Sequence, residues 1–364
     1  MTAKTAHRSA PARRPTVKTL AEMTGYSIAT VSKALNDSPV VTDETKARIR
    51  AAAESVGYAA NPRAASLRTG KSFQAAVLMP ISVAEGHEWH GVEYAEILSG
   101  ISRALEGSSY QLSVHLIRDA EDGRNVAERI VRRGLADGIV FSGIRRNDPR
   151  VAYLSSMDFP FVAMGHCDTA SGHAYVDIDS GWVAGDATRR LISGGHRRIA
   201  LINPDPDFAY AQDRIAGFRA AFAQAGLAPC DDLIAEGDLT ARFGRESLHR
   251  LRAVTDPPTG FVCVNEATTL GLLAGLRDLG LSAEADVSVI SYDDLNVSEY
   301  FAPPLTTYFQ PVEELGRCLG EFLLRRMAGE APGDLVRVFR PRLIPRQPDR
   351  LADAGQTHQQ RRKA

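Results

Sequence analysis

The residues best suited to chemistry are few and scattered. Gly70-Lys71-Ser72 has the ending of a phosphate-binding loop, in which a lysine and successive backbone amides cradle a phosphate. Such a loop needs a glycine five residues before its last glycine and an apolar strand leading in. Here position 65 is Ala65 and the approach is Ala-rich and basic. His87 and His90, in HEWH, are spaced to share a helix face toward a metal, but no third ligand stands out, and Gly86 and Gly91 read as loop. His166-Cys167 pairs a base with a nucleophile by type, yet adjacent residues on a strand point to opposite faces. Neither G-x-S-x-G nor H-E-x-x-H occurs. These residues compose no catalytic constellation, no metal site and no cofactor site, so an enzyme is not expected. Four cysteines without a CxxC pair point to a reducing compartment with no disulfide framework.

The elements that carry such residues divide by charge. The chain has 364 residues, 44% hydrophobic and 24% charged, which suits a globular protein of two or three domains. No apolar run approaches the roughly 18 residues that span a bilayer. The opening MTAKTAHRSAPARRP is basic but lacks a hydrophobic stretch, so it reads as a disordered arm over residues 1–15 rather than a secretory signal. A net charge of −1 conceals twelve Lys/Arg against five Asp/Glu in residues 1–72, and 31 against 39 in the remainder. A basic head on an acidic body is the electrostatic footprint of a nucleic-acid binder.

From Thr16 the chain reads TVKTLAEMTGYSIATVSKALNDSPVVTDETKARIRAAAESVGY. Val17, Leu20, Ala21 and Met23 recur at helical spacing, and Gly25 supplies a stop. Ser27 is placed as the N-cap of a second helix with Val31, Ala34 and Leu35 inside. A third helix, capped by Thr42 or Asp43, turns Ile49, Ala52, Ala53 and Val56 inward and ends at Gly57. This order predicts a helix-turn-helix over residues 16–60. The second helix should expose Ile28, Ala29, Ser32 and Lys33 near its start, where a groove-reading helix meets base edges. Thr30, Ser32, Asn36 and Tyr58 suit phosphate oxygens. A protein-interaction module is the alternative use of such a bundle.

The stretch GYSIATVSKALNDSPVVTDETKARIRAAAESVGYAANPRAASLRTGKS resembles the headpiece and hinge of the lactose-repressor (LacI/GalR) family of bacterial transcription regulators. The resemblance implies that Ile28 and Ala29 read bases and that Thr16, Ser27, Thr30, Ser32, Asn36 and Tyr58 contact the DNA backbone. It also implies a hinge over residues 61–72, with Leu67 wedged into the minor groove when two hinges pair on DNA. Gly70-Lys71-Ser72 then becomes the flexible exit from that hinge. Two departures stand out: Thr19 replaces an Asp common in the first helix, and Ala65 replaces an Arg of the hinge.

After the hinge, apolar runs such as AAVLMP, YQLSVHLI, GIVFSG, FPFVAMG, RRIALIN, GFVCVNE and VSVISYD alternate with helical segments. That alternation predicts an α/β fold with parallel sheets covered on both faces and ligand bound at strand C-terminal ends. The resemblance continues through YAEILSGI, ADGIVFSG, GGHRRIALI, VSVISYDD and PPLTTYFQP. It implies a two-lobed, periplasmic-binding-protein-like effector and dimerisation domain over 73–346, crossing between lobes near 194, 309 and 331, then a disordered tail over 347–364. Carried over residue by residue, Arg214, Asp293 and Asn265 hold the effector and Tyr94 stacks on it, with Trp182 expected in the same cleft. Glu266 replaces an Asp and Leu239 stands where an aromatic is frequent, which leaves nucleosides and other polyols open beside sugars. The implied partners are a pseudo-palindromic double-stranded operator, a small effector, chiefly carbohydrate, and a second copy of the chain, with no membrane. The implied setting is the bacterial cytoplasm at the nucleoid, and repression is the expected output. The alternative is a solute-binding receptor or sensor whose helical head contacts protein.

Overall fold

Capping chemistry sets the limits of the head helices. A computed structural model of the chain describes residues 15–58, 66, 69–80, 91–167, 172–283, 285–293 and 297–346, and divides it into two compact units, Met1–Lys71 and Ser72–Ala364. In the first unit, α1 (Val17–Thr24) begins at Thr16, whose hydroxyl accepts from the Thr19 amide while the Thr19 hydroxyl accepts from the Thr16 amide. It ends at Gly25 with φ 75°, a left-handed conformation that only glycine adopts without strain. α2 (Ile28–Leu35) is capped by Ser27, and α3 (Asp43–Ser55) by Thr42 rather than Asp43. Leu20, Val31, Ala34, Ile49 and Ala53 close a small core. Met23, expected inside, is half exposed. Thr24 is buried in its place, which its hydroxyl tolerates by donating to the Leu20 carbonyl at 2.7 Å.

In the second unit, β1 (Gln74–Pro80), α4 (Gly91–Leu105), β2 (Gln111–Ile117), α5 (Ala120–Arg133), β3 (Gly138–Phe141), α6 (Pro149–Ser156), β4 (Phe161–Met164) and β5 (Tyr175–Ile178) build a first lobe. A second lobe follows as α7 (Ser180–Ser193), β6 (Ile199–Pro204), α8 (Ala209–Gln224), β7 (Ile234–Gly237), α9 (Ala241–Arg252), β8 (Gly260–Val262), α10 (Glu266–Asp278), β9 (Ser288–Asp293) and β10 (Thr306–Phe309). The chain then returns through α11 (Val312–Met327), β11 (Val336–Phe339) and β12 (Arg342–Ile344). The two six-stranded sheets run β11-β5-β4-β3-β1-β2 and β12-β10-β9-β8-β6-β7, parallel except for the β10–β12 pair. Every residue of β3, β6 and β8 is buried, as continuous apolar runs require when helices cover both faces of a sheet.

Two of the three expected crossings move. α7 packs on α8 of the second lobe, so the chain leaves the first lobe at Asp179, right after β5, rather than near 194. α11 packs on α4 and on β3 and β4, which puts the second crossing at Gln310–Pro311, close to the expected 309. β11 joins the first sheet beside β5 and β12 joins the second, so the third crossing falls at 340–341 rather than near 331. The helix pairs are held by glycine: a Cβ at Gly217 of α8 would overlap the Gly181 carbonyl oxygen of α7, and one at Gly316 of α11 the Ile97 carbonyl of α4.

Candidate functional site

At the head, Ser27, Ile28 and Ala29 at the start of α2, Lys33 in its last turn and Asn36 at its C-cap are exposed to solvent, with Thr30 and Ser32 half-buried. Ile28 is 54% exposed, a large apolar side chain left uncovered on a small domain. Several polar candidates also hold the helices in place. Ser27 Oγ accepts from the Thr30 amide at 3.1 Å and lies 2.9 Å from Thr30 Oγ1, Thr16 caps α1, and Asn36 Nδ2 donates to the Ser32 carbonyl. Tyr58 packs against the head core, and burial raises its phenol pKa. Leu67, Ala65, most of the basic arm, the tail, and His87 and His90 lie outside the described residues.

Of the segment expected to be a flexible exit, the last residue, Ser72, is tied to Asp137. One carboxylate, Asp137, accepts from the Ser72 amide and hydroxyl at 2.8 and 2.9 Å and from the Phe73 amide at 2.9 Å.

In the cleft, Arg214 sits one turn into α8 and is 4% exposed. Its guanidinium carbon lies 4.9 Å from the Tyr292 ring centre and 6.0 Å from that of Tyr210, and its Nε and Nη1 have no hydrogen-bond partner. A buried cation with unmet donors is costly, so this arrangement is built for an oxygen-rich acceptor. Tyr94, on α4 of the opposite lobe, pairs its hydroxyl with Ser142 Oγ at 3.0 Å. Burial, reinforced by Glu93, drives the Tyr94 phenol pKa far up. Burial likewise pushes the Tyr210 phenol to about 12, with Arg214 pulling the other way. Both tyrosines are half-buried.

The other sequence candidates separate. Asn265 caps α10: its Oδ1 accepts from the Thr268 amide at 2.9 Å and its Nδ2 donates to the Leu239 carbonyl at 3.0 Å. Trp182 stands at the crossings, edge-on to Tyr308 and 5.4 Å from the Arg340 guanidinium. Asp293 pairs by backbone with Phe309, and its side chain lies outside the description. His166 follows β4, its Nδ1 2.6 Å from Asp177, while Cys167 Sγ lies 4.0 Å from His173 Nδ1. No cluster of three or more metal-ligating side chains occurs among the described residues. Tyr210 and Tyr292 were missed, although Tyr210 and Arg214 stand four apart on one helix, the spacing that stacks side chains.

A family model described as bacterial regulatory proteins, lacI family, matches residues 16–61, and one for a periplasmic binding protein-like domain matches 188–347. The HTH-type transcriptional regulator AglR of Rhizobium meliloti (strain 1021) is 32% identical over 335 residues, 91% of this chain and 93% of that protein. The chain belongs to the lacI family of bacterial regulatory proteins. As a member it is a DNA-binding transcriptional regulator, with a helix-turn-helix head and a two-lobed body of periplasmic-binding-protein type. Another lacI-family relative is the HTH-type transcriptional regulator CelR of Thermobifida fusca, 29% identical over 92% of this chain and 98% of that protein. A solved CelR–cellobiose complex superposes with a TM-score of 0.69 at 28% identity over 92% of this chain and all of the other. The lac repressor dimer bound to operator and an anti-inducer shares the fold, with a TM-score of 0.77 at 21% identity over 93% of this chain and all of that one.

Proposed function

We propose that this regulator is a homodimeric repressor without catalytic activity, acting on operator DNA in the bacterial cytoplasm and controlled by a carbohydrate effector held at Arg214. The observation that carries the effector reading is the buried Arg214 guanidinium, with two nitrogens lacking acceptors between two tyrosine rings. Hydroxyl-rich molecules supply such acceptors, and aromatic faces receive their apolar ring edges. The relative solved with cellobiose supports the same ligand class, and relatives named as repressors support the output. Tyr94, Tyr210 and Tyr292 join Arg214 and Asp293 as effector contacts, with Asn265 and Trp182 supporting them from the α10 start and the crossings. At the head, Ile28 and Ala29 touch base edges, which for apolar side chains means contacts such as the thymine methyl. Lys33 and the polar caps Thr16, Ser27, Thr30, Ser32, Asn36 and Tyr58 meet the backbone, and Leu67 wedges the minor groove.

Thermal-shift screening of the full chain against mono- and disaccharides, sugar phosphates, polyols and nucleosides tests the effector reading. At least one sugar should raise the melting temperature of wild type and leave that of Arg214→Ala unmoved. A shift retained by Arg214→Ala would sink the site. Gel retardation on duplex selected from a random pool tests the DNA reading, with loss of binding in Leu67→Ala as the expected mark of the wedge.

A further inference from the structure

Two short segments meet across the cleft. Ile144–Arg146 follows β3 in the first lobe, and Asp207–Ala209 follows β6 in the second. They form an antiparallel bridge between Arg145 and Phe208: the Ala209 amide donates to the Ile144 carbonyl at 3.0 Å, and the Arg146 amide to the Asp207 carbonyl at 3.4 Å. Arg145 adds an ion pair to Asp207 at 2.8 Å and lays its guanidinium 5.7 Å from the centre of the Phe208 ring.

Both jaws are stiffened by their own lobes. In the first, buried Arg150 pairs with Asp148 and donates to the Ser142 and Gly143 carbonyls, while Asp148 also accepts from the Arg145 amide. In the second, Asp205 accepts from the Asp207 amide at 2.9 Å, and Gln212 Nε2 donates to the Pro206 carbonyl at 2.9 Å. The joint also runs into the ligand site. Phe208 stacks on Tyr210 at 5.5 Å, Tyr210 borders Arg214, and Arg214 lies over Tyr292, so a continuous run of cation and ring contacts leads from Arg145 to Tyr292.

We propose that Arg145 is the positioning residue of a clasp that holds the two lobes closed over the Arg214 site, so that an effector reaches Arg214 only after the clasp opens. The contacts that join the jaws are backbone bonds, an ion pair and a cation–ring contact between residues of the two lobes. The Arg145 and Asp207 side chains are 36% and 67% exposed, so the ion pair alone is weak; its role is to fix the register in which the two backbone bonds form. The inference deepens the effector reading and takes its functional meaning from it.

Residue-resolved hydrogen exchange on the full-length chain, without DNA or sugar, tests the clasp. In wild type the Ala209 amide should be protected, and Arg145→Ala should speed its exchange about tenfold or more, equivalent to about 1.4 kcal/mol. Amides of β6 should not change. Asp207→Asn, on the opposite jaw, should act alike and gives an independent reading should Arg145→Ala fold poorly. The charge swap Arg145→Asp with Asp207→Arg should restore protection to within about threefold. An unprotected Ala209 amide in wild type, equal acceleration throughout β6, or failure of the swap to restore protection each overturns the clasp. If the clasp passes while no sugar shifts the melting temperature, the effector reading fails on its own.

Discussion

At the scale of single residues, a buried guanidinium with unmet donors separates binding from stability. Arg214 lies among aromatic rings with two nitrogens unserved, so folding carries its desolvation without full return. Replacing it with methionine, similar in length and uncharged, should leave the unliganded melting temperature unchanged or higher while abolishing the effector-induced shift. Arg214→Lys should keep the charge but lose the planar fork, and weaken effector binding tenfold or more. Calorimetric scans with and without the effector read both. A second residue reports on pH. His196 is almost fully buried, its Nδ1 2.9 Å from Thr259 Oγ1 and its Nε2 without a partner, and burial lowers its pKa to about 4. The unfolded chain binds a proton below about 6.5, whereas the folded chain resists until about 4. His196 therefore withholds no stability above pH 6.5 and costs the fold increasingly as pH falls toward 4, by an amount on the order of 2–3 kcal/mol. Urea midpoints between pH 7 and 4.5 should fall more steeply in wild type than in His196→Gln; parallel curves would remove His196 as the cause.

At the scale of elements, what was legible in the sequence was what local chemistry decides. Gly25, Ser27 and Thr42 mark helix limits because caps act within three residues, and β3, β6 and β8 read as strands because sheets covered on both faces write apolar runs. The crossings were not legible. A helix belongs to the lobe it packs on, and the close approach of α7 to α8 rests on Gly181, Gly185 and Gly217, which have no side chain to carry a pattern. Nor was the tie between Asp137 and Ser72, because the two residues are 65 positions apart. Arg214 was marked as a site residue only by the family resemblance, and its ring partners were not marked at all, since Tyr292 reaches it from a different element. Two predictions belong here. Ser27→Ala removes the cap of α2 and should cost about 1 kcal/mol of head stability, with DNA affinity falling in step. Gly217→Ala forces α8 off α7 by overlap with the Gly181 carbonyl, so it should cost about 1–3 kcal/mol and, because Arg214 lies one turn earlier on the same helix, also weaken the effector. Normal effector affinity in a destabilised Gly217→Ala chain would mean that α8 placement does not set the site.

At the scale of the whole molecule, the apolar surface left on the body bears on how the regulator reads DNA. β2 ends the first sheet among the described residues, and Val114 and Leu116 on it are 42% and 54% exposed. Edge strands are ordinarily guarded by charge or proline, and this one carries apolar side chains instead. On the second lobe Leu270 of α10 is 54% exposed as well. One apolar site on each lobe fits a two-fold pairing in which each copy covers the other's. In the homodimer proposed above, Leu116→Lys with Leu270→Asp should then shift the chain from dimer to monomer in sedimentation velocity. The excess of basic residues in the head makes phosphate contacts dominate single-site affinity, so binding to one half-site should fall linearly with log salt to the same degree in both chains. Binding to a two-half-site duplex should separate them. The dimer places its second head at high effective concentration once the first has bound, and the monomer loses that gain, about 100-fold or more. A monomeric variant that still bound the two-site duplex like wild type would show that the heads act singly.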